Sequence, residues 1–254
     1  NGSASVDGTT LTVTPAGDYN GDITVTVSAS DGTLAGTDSF TLTVTPVNDA
    51  PVIASIADQS TDEDTAFVFT VSATDVDGDD VLFSASLDGN GSASIEGSTL
   101  TVIPDADFNG SISVDVYVSD GSDDYDWTTF TLTVTPVNDA PVLSDLSDAT
   151  TDEDTAYSVE LSSSDVDGDT VTYSASSSSG SAVVDGSTLT VTPAQDFSGD
   201  VTVTVTASDG SLTDSGSFTL SVTPVNDAPV VDAIADQTID EDGSLTLSLS
   251  ASDI

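Results

Sequence analysis

Residues Ser111-Ile112-Ser113-Val114-Asp115-Val116-Tyr117-Val118-Ser119-Asp120-Gly121 alternate polar and apolar side chains for nine positions and end in an Asp-Gly turn. A period of two sends successive side chains to opposite faces, so this stretch predicts a strand with one buried face. The same pattern recurs as Asp22–Gly32, with Ile23, Val25, Val27 and Ala29 inward, and as Asp200–Gly210, with Val201, Val203, Val205 and Ala207 inward. Other alternating segments keep step with it. Phe40, Leu42 and Val44 match Phe130, Leu132 and Val134, then Phe218, Leu220 and Val222. Phe67, Phe69, Val71 and Ala73 match Tyr157, Val159 and Leu161, then Leu245, Leu247, Leu249 and Ala251. No segment sustains a helical period, and Lys, Arg and Met are absent.

The repeat is tandem. Val-Asn-Asp-Ala-Pro-Val begins at Val47, Val137 and Val225, at spacings of 90 and 88 residues. Asp-Glu-Asp recurs at Asp62, Asp152 and Asp240, and Asp-Val-Asp-Gly-Asp at Asp75 and Asp165. The register predicts four pieces: 1–46, the later part of one repeat; 47–136 and 137–224, two complete repeats; and 225–254, the first part of another. Strands are expected near 52–57, 66–73, 81–87, 92–95, 98–103, 111–118 and 127–135, punctuated by turn residues such as Asp77-Gly78 and Glu96-Gly97. Seven short strands in one repeat predict an all-β architecture of tandem Ig-like sandwiches joined end to end. Paired prolines (Pro46 and Pro51, Pro136 and Pro141, Pro224 and Pro229) make each linker extended and stiff. The head and tail pieces are complementary parts of one repeat, so identical chains joining head to tail in a filament are one expected partnership.

Composition narrows the function. The 254 residues hold 45 Asp and Glu but no Lys, Arg, His or Cys, for a net charge of −45. That removes disulfides, thiolate nucleophiles, imidazole ligands and a triad base. Nucleic acid and anionic membranes are repelled. Mean hydropathy is +0.06, too apolar for an acidic disordered tail. No run of 18 apolar residues predicts a membrane span, and Asn1-Gly2-Ser3 opens no signal-peptide pattern. Catalysis by paired carboxylates would need a cleft with one raised pKa, and the same acids recurring in every repeat suit structure better. No enzyme is expected.

The acids concentrate in the linkers and the loops at strand ends. Each joint between repeats is expected to gather at least five carboxylates. Two bare carboxylates about 4 Å apart repel by about 4 kcal/mol at an effective dielectric near 20. With no basic residue in the chain, they must protonate or hold a hard cation. Ca²⁺ accepts six to eight oxygen ligands in flexible geometry, and Mg²⁺ suits a crowded carboxylate cage less well. Taken singly, each Asp-Gly pair is an ordinary turn.

Val71-Ser72-Ala73-Thr74-Asp75-Val76-Asp77-Gly78, Val116–Gly121 and Leu132-Thr133-Val134-Thr135-Pro136-Val137-Asn138-Asp139-Ala140-Pro141 resemble cadherin repeats, and more closely the cadherin-like tandem repeats of large bacterial secreted and surface adhesins. The resemblance implies Ca²⁺ between successive domains. It implies ligands Asp18, Asn48, Asp49, Asp75, Asp77 and Asp120 at the first joint. At the second it implies Glu63, Asp107, Asn138, Asp139, Asp165, Asp167 and Asp209, with Asp62, Asp64 and Asp105 as substitutes. At the third it implies Glu153, Asp196, Asn226, Asp227 and Asp253. Pro46, Pro136 and Pro224 replace an acid of the family's linker, and its second Asn is missing, so about one or two ions per joint are expected rather than three. The implied function is a calcium-rigidified extracellular spacer or surface filament, located outside the cell. The alternatives are a carbohydrate-binding module and homotypic cell adhesion. Exposed aromatic rows in every repeat would favour the first, and they are absent. One repeat alone adds Asp115, Tyr117, Asp123, Asp124, Tyr125, Asp126 and Trp127, a conceivable glycan patch or the cap of a core.

Overall fold

The computed structural model describes residues 1–122 and 124–253; Asp123 lies outside the described residues. The chain divides into two compact units, Asn1–Val137 and Asn138–Ile254. All regular structure among the described residues is β.

In the first unit, β1 (Gly2–Asp7) pairs with β2 (Thr10–Pro15), and β3 (Gly21–Ser30) with β4 (Ala35–Val44). A complete repeat follows: β5 (Val52–Ile53), β6 (Gln59–Asp62), β7 (Phe67–Thr70), β8 (Ala73–Thr74), β9 (Leu82–Leu87), β10 (Gly91–Glu96), β11 (Thr99–Pro104), β12 (Gly110–Ser119) and β13 (Tyr125–Thr135). One sheet has the order β6-β13-β12-β9 and the other β10-β11-β7, with a short β5-β8 ladder. β6 runs parallel to β13, and the remaining pairs are antiparallel. Ile112, Val114, Val116, Val118, Phe130, Leu132 and Val134 face Leu100 and Val102 across the sandwich, each at most 2% exposed. Phe67 and Phe130 meet with ring centroids 6.1 Å apart.

The second unit repeats this plan: β14 (Val142–Leu143), β15 (Ala149–Asp152), β16 (Tyr157–Glu160), β17 (Ser163–Ser164), β18 (Thr172–Ser177), β19 (Ser181–Asp185), β20 (Thr188–Thr192), β21 (Gly199–Ser208) and β22 (Thr213–Thr223). Its sheets are β15-β22-β21-β18 and β16-β20-β19, around Leu189, Val191, Val201, Val203, Val205, Phe218 and Leu220.

Each complete repeat therefore contains nine strand segments, not seven. The expected strand 52–57 is formed only at Val52–Ile53. The chain then leaves the β5–β8 ladder across Ala54–Asp58 and joins β13 through Gln59–Asp62, a polar segment with no alternation to announce it. The expected strand 66–73 is likewise divided into β7 and β8.

Residues 1–46 hold no counterpart of β5–β9, and their apolar face is correspondingly less covered. Phe40 is 47% exposed and Val27 38%, against 2% and 0% for Phe130 and Val116. Among the described residues after 225, only β23 (Val230–Val231) and β24 (Ala251–Ser252) form. The alternation Leu245, Leu247, Leu249 predicts a strand there, and the structure shows irregular chain with all three leucines exposed. The equivalent β16 is held by pairing with β20, and the described residues after 225 offer no such ladder partner.

Candidate functional site

At the start of the complete repeat in the first unit, Pro46 and Pro51 hold the linker extended beside the loop after β8 and the loop between β12 and β13. The linker's polar groups close on those loops. Asn48 Nδ2 donates to Asp120 Oδ2 at 2.8 Å, and the Asp49 amide donates to Asp77 Oδ2 at 2.8 Å. Asp75 organises its own loop: its Oδ1 accepts the amides of Asp77 at 2.8 Å and Gly78 at 3.0 Å. Asp18 and Asp49 line one recess with Asp75 and Val76 and another with Asp77 and Tyr19. All six residues expected at the first joint thus come together.

Their electrostatics divide. Hydrogen bonds from Ser122 and Asn48 hold the Asp120 carboxyl at about 2. Asp49 is pushed the other way, first by desolvation and then by the negative charges of Asp18, Asp77 and Asp75. Asp75 Oδ2 is buried with no hydrogen-bond partner. The second unit reproduces the arrangement. Asn138 Nδ2 donates to Asp209 Oδ2 at 2.8 Å, and the Asp139 amide to Asp167 Oδ2 at 2.7 Å. Asp165 Oδ1 accepts the Asp167 amide at 3.1 Å, and its Oδ2 is again buried without a partner.

The opposite end of each repeat is built from the Asp-Glu-Asp loop and the loop before the long hairpin. Glu153, 9% exposed, accepts the Val225 amide at 2.6 Å and lines a recess with Asp196, Asn226 and Asp227. One oxygen each from Asp154, Asp196 and Asp227 lies within 4.8 Å of the others. Burial raises the pKa of Asp196, reinforced by Asp154, Asp227 and Glu153. In the first unit Glu63, only 3% exposed, accepts the Val137 amide at 2.5 Å and the Asn109 side chain at 3.4 Å, and the Asp107 amide donates to Asp64 Oδ1 at 3.2 Å. Asp253 follows β24, exposed, and does not line the recess around Asp227.

The expected ligand set omits Asp154. Asp64 and Asp154 share φ 56° and Asp196 has φ 54°, in the left-handed region that Asp tolerates better than most residues. That turn is what brings the third acid of Asp-Glu-Asp against the neighbouring loop.

These donors fit a hard cation. Every ligand atom is oxygen, and three carboxylates converge at Asp154, Asp196 and Asp227. Burying a carboxylate oxygen with no donor is unfavourable unless a positive charge compensates it, and the chain has no side chain to supply one. A metal would meet the unmet demand of Asp75 Oδ2 and Asp165 Oδ2.

A bacterial Ig domain family model matches residues 48–135 and again 138–221. The chain belongs to the bacterial Ig domain family. No curated protein matches it in sequence. Among solved structures, these Ig domains are similar to mouse protocadherin-24 EC1-3 (19% identity, 87% of this chain and 86% of that one, TM-score 0.47). They are also similar to protocadherin gammaB7 EC3-6 in its cis-dimer structure (20% identity, 98% and 72%, TM-score 0.49). A match to an endo-fucoidan hydrolase of glycoside hydrolase family 107 has 20% identity and TM-score 0.33, and the chain spans 37% of that protein's length. The tandem Ig-like repeats point to a non-enzymatic adhesion or structural module of extracellular type. No helix among the described residues is long and apolar enough to cross a membrane.

Proposed function

We propose that the chain is a calcium-stiffened extracellular spacer, in which Ca²⁺ bound at the ends of the Ig domains holds linker and loops in one arrangement. The observation that carries this reading is the pair of buried, unpartnered carboxylate oxygens, Asp75 Oδ2 and Asp165 Oδ2, in a chain with no basic side chain. Asp18, Asn48, Asp49, Asp75, Asp77 and Asp120 would hold the ion where residues 1–46 meet the first complete repeat. Asn138, Asp139, Asp165, Asp167 and Asp209 are their counterparts in the second unit. Glu153, Asp154, Asp196, Asn226 and Asp227 would bind at the other end of that repeat, with Glu63, Asp64 and Asp107 corresponding to them. The ion supplies positive charge that lets the carboxylates approach without protonating. The protein's own part is mechanical: the prolines keep the linker extended, and the amides of Asp49 and Asp139 fix the loops that present the oxygens.

Such sites suit the modest affinities of extracellular modules, about 10⁻⁴–10⁻³ M. The test is calorimetry and small-angle scattering of the whole chain, in chelator and in millimolar Ca²⁺ at matched ionic strength. Calcium should raise the melting temperature and narrow the distribution of dimensions. Identical melting and scattering in both conditions would remove the proposal.

A further inference from the structure

The solvent face of the four-stranded sheet in the first unit carries an aromatic ledge. Tyr117 on β12 and Trp127 on β13 are cross-strand partners, with ring centroids 6.5 Å apart and planes inclined by 31°. Tyr125, two residues before Trp127 on the same strand, lies 6.5 Å from Tyr117 with planes inclined by 54°. Leu82 on β9, opposite Ser119, extends the surface, and Leu82, Ser84, Tyr117, Ser119 and Tyr125 line one shallow recess. Leu82 is 68% exposed, Tyr125 63% and Trp127 55%. Neither unit's core uses these side chains, because Val116, Val118 and Phe130 of the same strands point to the other face. That excludes the core-capping role open to Trp127 from sequence alone.

The sister repeats show that the fold does not need the ledge. The positions of Leu82, Tyr117, Tyr125 and Trp127 are Thr172, Thr206, Thr213 and Ser215 in the second complete repeat. Ser28, Ala35 and Thr37 stand at the three aromatic positions in residues 1–46. Exposed rings with a structural cost and no structural role mark a contact surface. Asp115, which replaces Thr204 and Thr26 of the sisters, lies on the same face two residues from Tyr117, and one of its oxygens accepts the Thr129 hydroxyl at 2.6 Å.

We propose that this ledge binds a neutral glycan. Sugar rings would lay their apolar C–H faces on Trp127, Tyr117 and Tyr125, and their hydroxyls would donate to Asp115 and exchange hydrogen bonds with Ser84 and Ser119. Anionic glycans are opposed by the net charge of −45. A cationic ligand would find acids on every repeat, whereas a cluster of exposed rings occurs on this face alone among the described residues, so aromatic area and not charge is what distinguishes it. A protein partner would need about 800 Å² on each side, more than four side chains bordered by Ser and Thr provide. The proposal is independent of calcium binding.

Trp127 is the only tryptophan, so its emission reports on this ledge. The intact chain is titrated with cellohexaose, laminarihexaose and mannohexaose, in calcium and in chelator, and run in affinity gels containing neutral plant, algal, fungal and bacterial polysaccharides. A saturable Trp127 response to a neutral glycan is expected, with affinity lowered about tenfold by Tyr117→Thr or Tyr125→Thr, changes that copy the sister repeat and spare the fold. Trp127→Ser should abolish retardation in the gels. Silence across the whole neutral panel would overturn the proposal. So would equal binding by the Tyr117→Thr variant, or a response to octalysine or heparin in place of neutral glycans. Loss of the calcium response with glycan binding intact would count only against the spacer reading.

Discussion

Replacing Asp49 by Asn should lower stability in calcium and not in its absence. The backbone amide of Asp49 donates to Asp77, and its carbonyl accepts from Asn48 at 3.3 Å. Neither bond involves the side chain, so Asp49→Asn keeps the linker turn and deletes one charge. Desolvation, then Asp18, Asp77 and Asp75, already disfavour that charge. In chelator the variant should therefore melt no lower than the wild type. In calcium it loses a ligand. At about 10 mM Ca²⁺ and a dissociation constant of about 10⁻⁴–10⁻³ M, binding to the folded state alone contributes about 1.4–2.7 kcal/mol. A domain of about 90 residues gains roughly 4–8 °C per kcal/mol, so the wild-type transition should rise by about 6–20 °C, and Asp49→Asn should forfeit most of that. Differential scanning calorimetry of the intact chain, with sodium replacing calcium at equal ionic strength, reads both halves. An undiminished calcium gain in the variant would refute the ligand assignment. Equal destabilisation in both buffers would show that Asp49 acts through structure and not through charge.

Asp196→Gly should separate conformation from charge at the second unit's cluster: glycine accepts φ 54° and keeps the amide bond to Asp154, so melting in chelator is retained while the calcium gain is lost. Leu132→Ala, at a site with 0% exposure, should cost about 2–5 kcal/mol in denaturant unfolding, and Leu42→Ala at the half-buried counterpart about 1 kcal/mol or less. The Glu160 carboxyl is held below its ordinary range by the Thr188 hydroxyl at 2.7 Å and the Ser187 hydroxyl at 2.9 Å. Its folded pKa is depressed, so this stabilisation is complete above the unfolded value of about 4.3 and is lost as pH falls through the folded one. Thr188→Val should move the Glu160 midpoint upward in a carboxyl NMR titration; an unchanged midpoint would discard the assignment.

The alternation around Val114 and Val203 suffices to place the long hairpins and both cores, because one buried face and one wet face leave a period that no tertiary contact has to supply. Gln59–Asp62 is different. Nothing in Gln-Ser-Thr-Asp alternates, and it is a strand because β13 offers a parallel edge. Leu245–Leu249 shows the reverse, an alternating pattern with no ladder to join. The candidate metal ligands were legible as residue types at repeating positions. Glu63 and Glu153, the acids expected from each Asp-Glu-Asp, are its buried members; that Asp154 also meets the neighbouring loop was not legible, since it depends on a positive φ that adjacent carboxylates do not announce. Tyr117 and Trp127 stood out as departures from their sister repeats. Their side-by-side placement needed the register of the β12–β13 hairpin, in which Ser119 pairs with Tyr125 and so sets Tyr117 against Trp127.

A chain with no cationic side chain must find another source of positive potential, and here the backbone provides much of it. Asp58 accepts the Thr131 amide at 2.8 Å and Asp148 the Thr219 amide at 2.7 Å, pinning the segment before each parallel edge strand to the long hairpin. Asp126 and Asp214 do the same for the amides of Ile53 and Leu143. Each such carboxylate meets an N–H that would otherwise be unsatisfied, so acid and fold support one another at any calcium level. The domain ends differ because the donors run out. At Asp75 and Asp165 loop amides occupy one oxygen and leave the other buried without a partner. At Asp154, Asp196 and Asp227 three carboxylates converge, with the Asp196 amide on Asp154 and the Gln195 side chain on Asp196. The acids thus fall into two populations, one satisfied by the chain's own amides and one short of donors, which on the proposed reading an external ion would serve. Both sandwich cores lie with the first population, so calcium should govern the order of linkers and loops while the β-sandwiches persist without it.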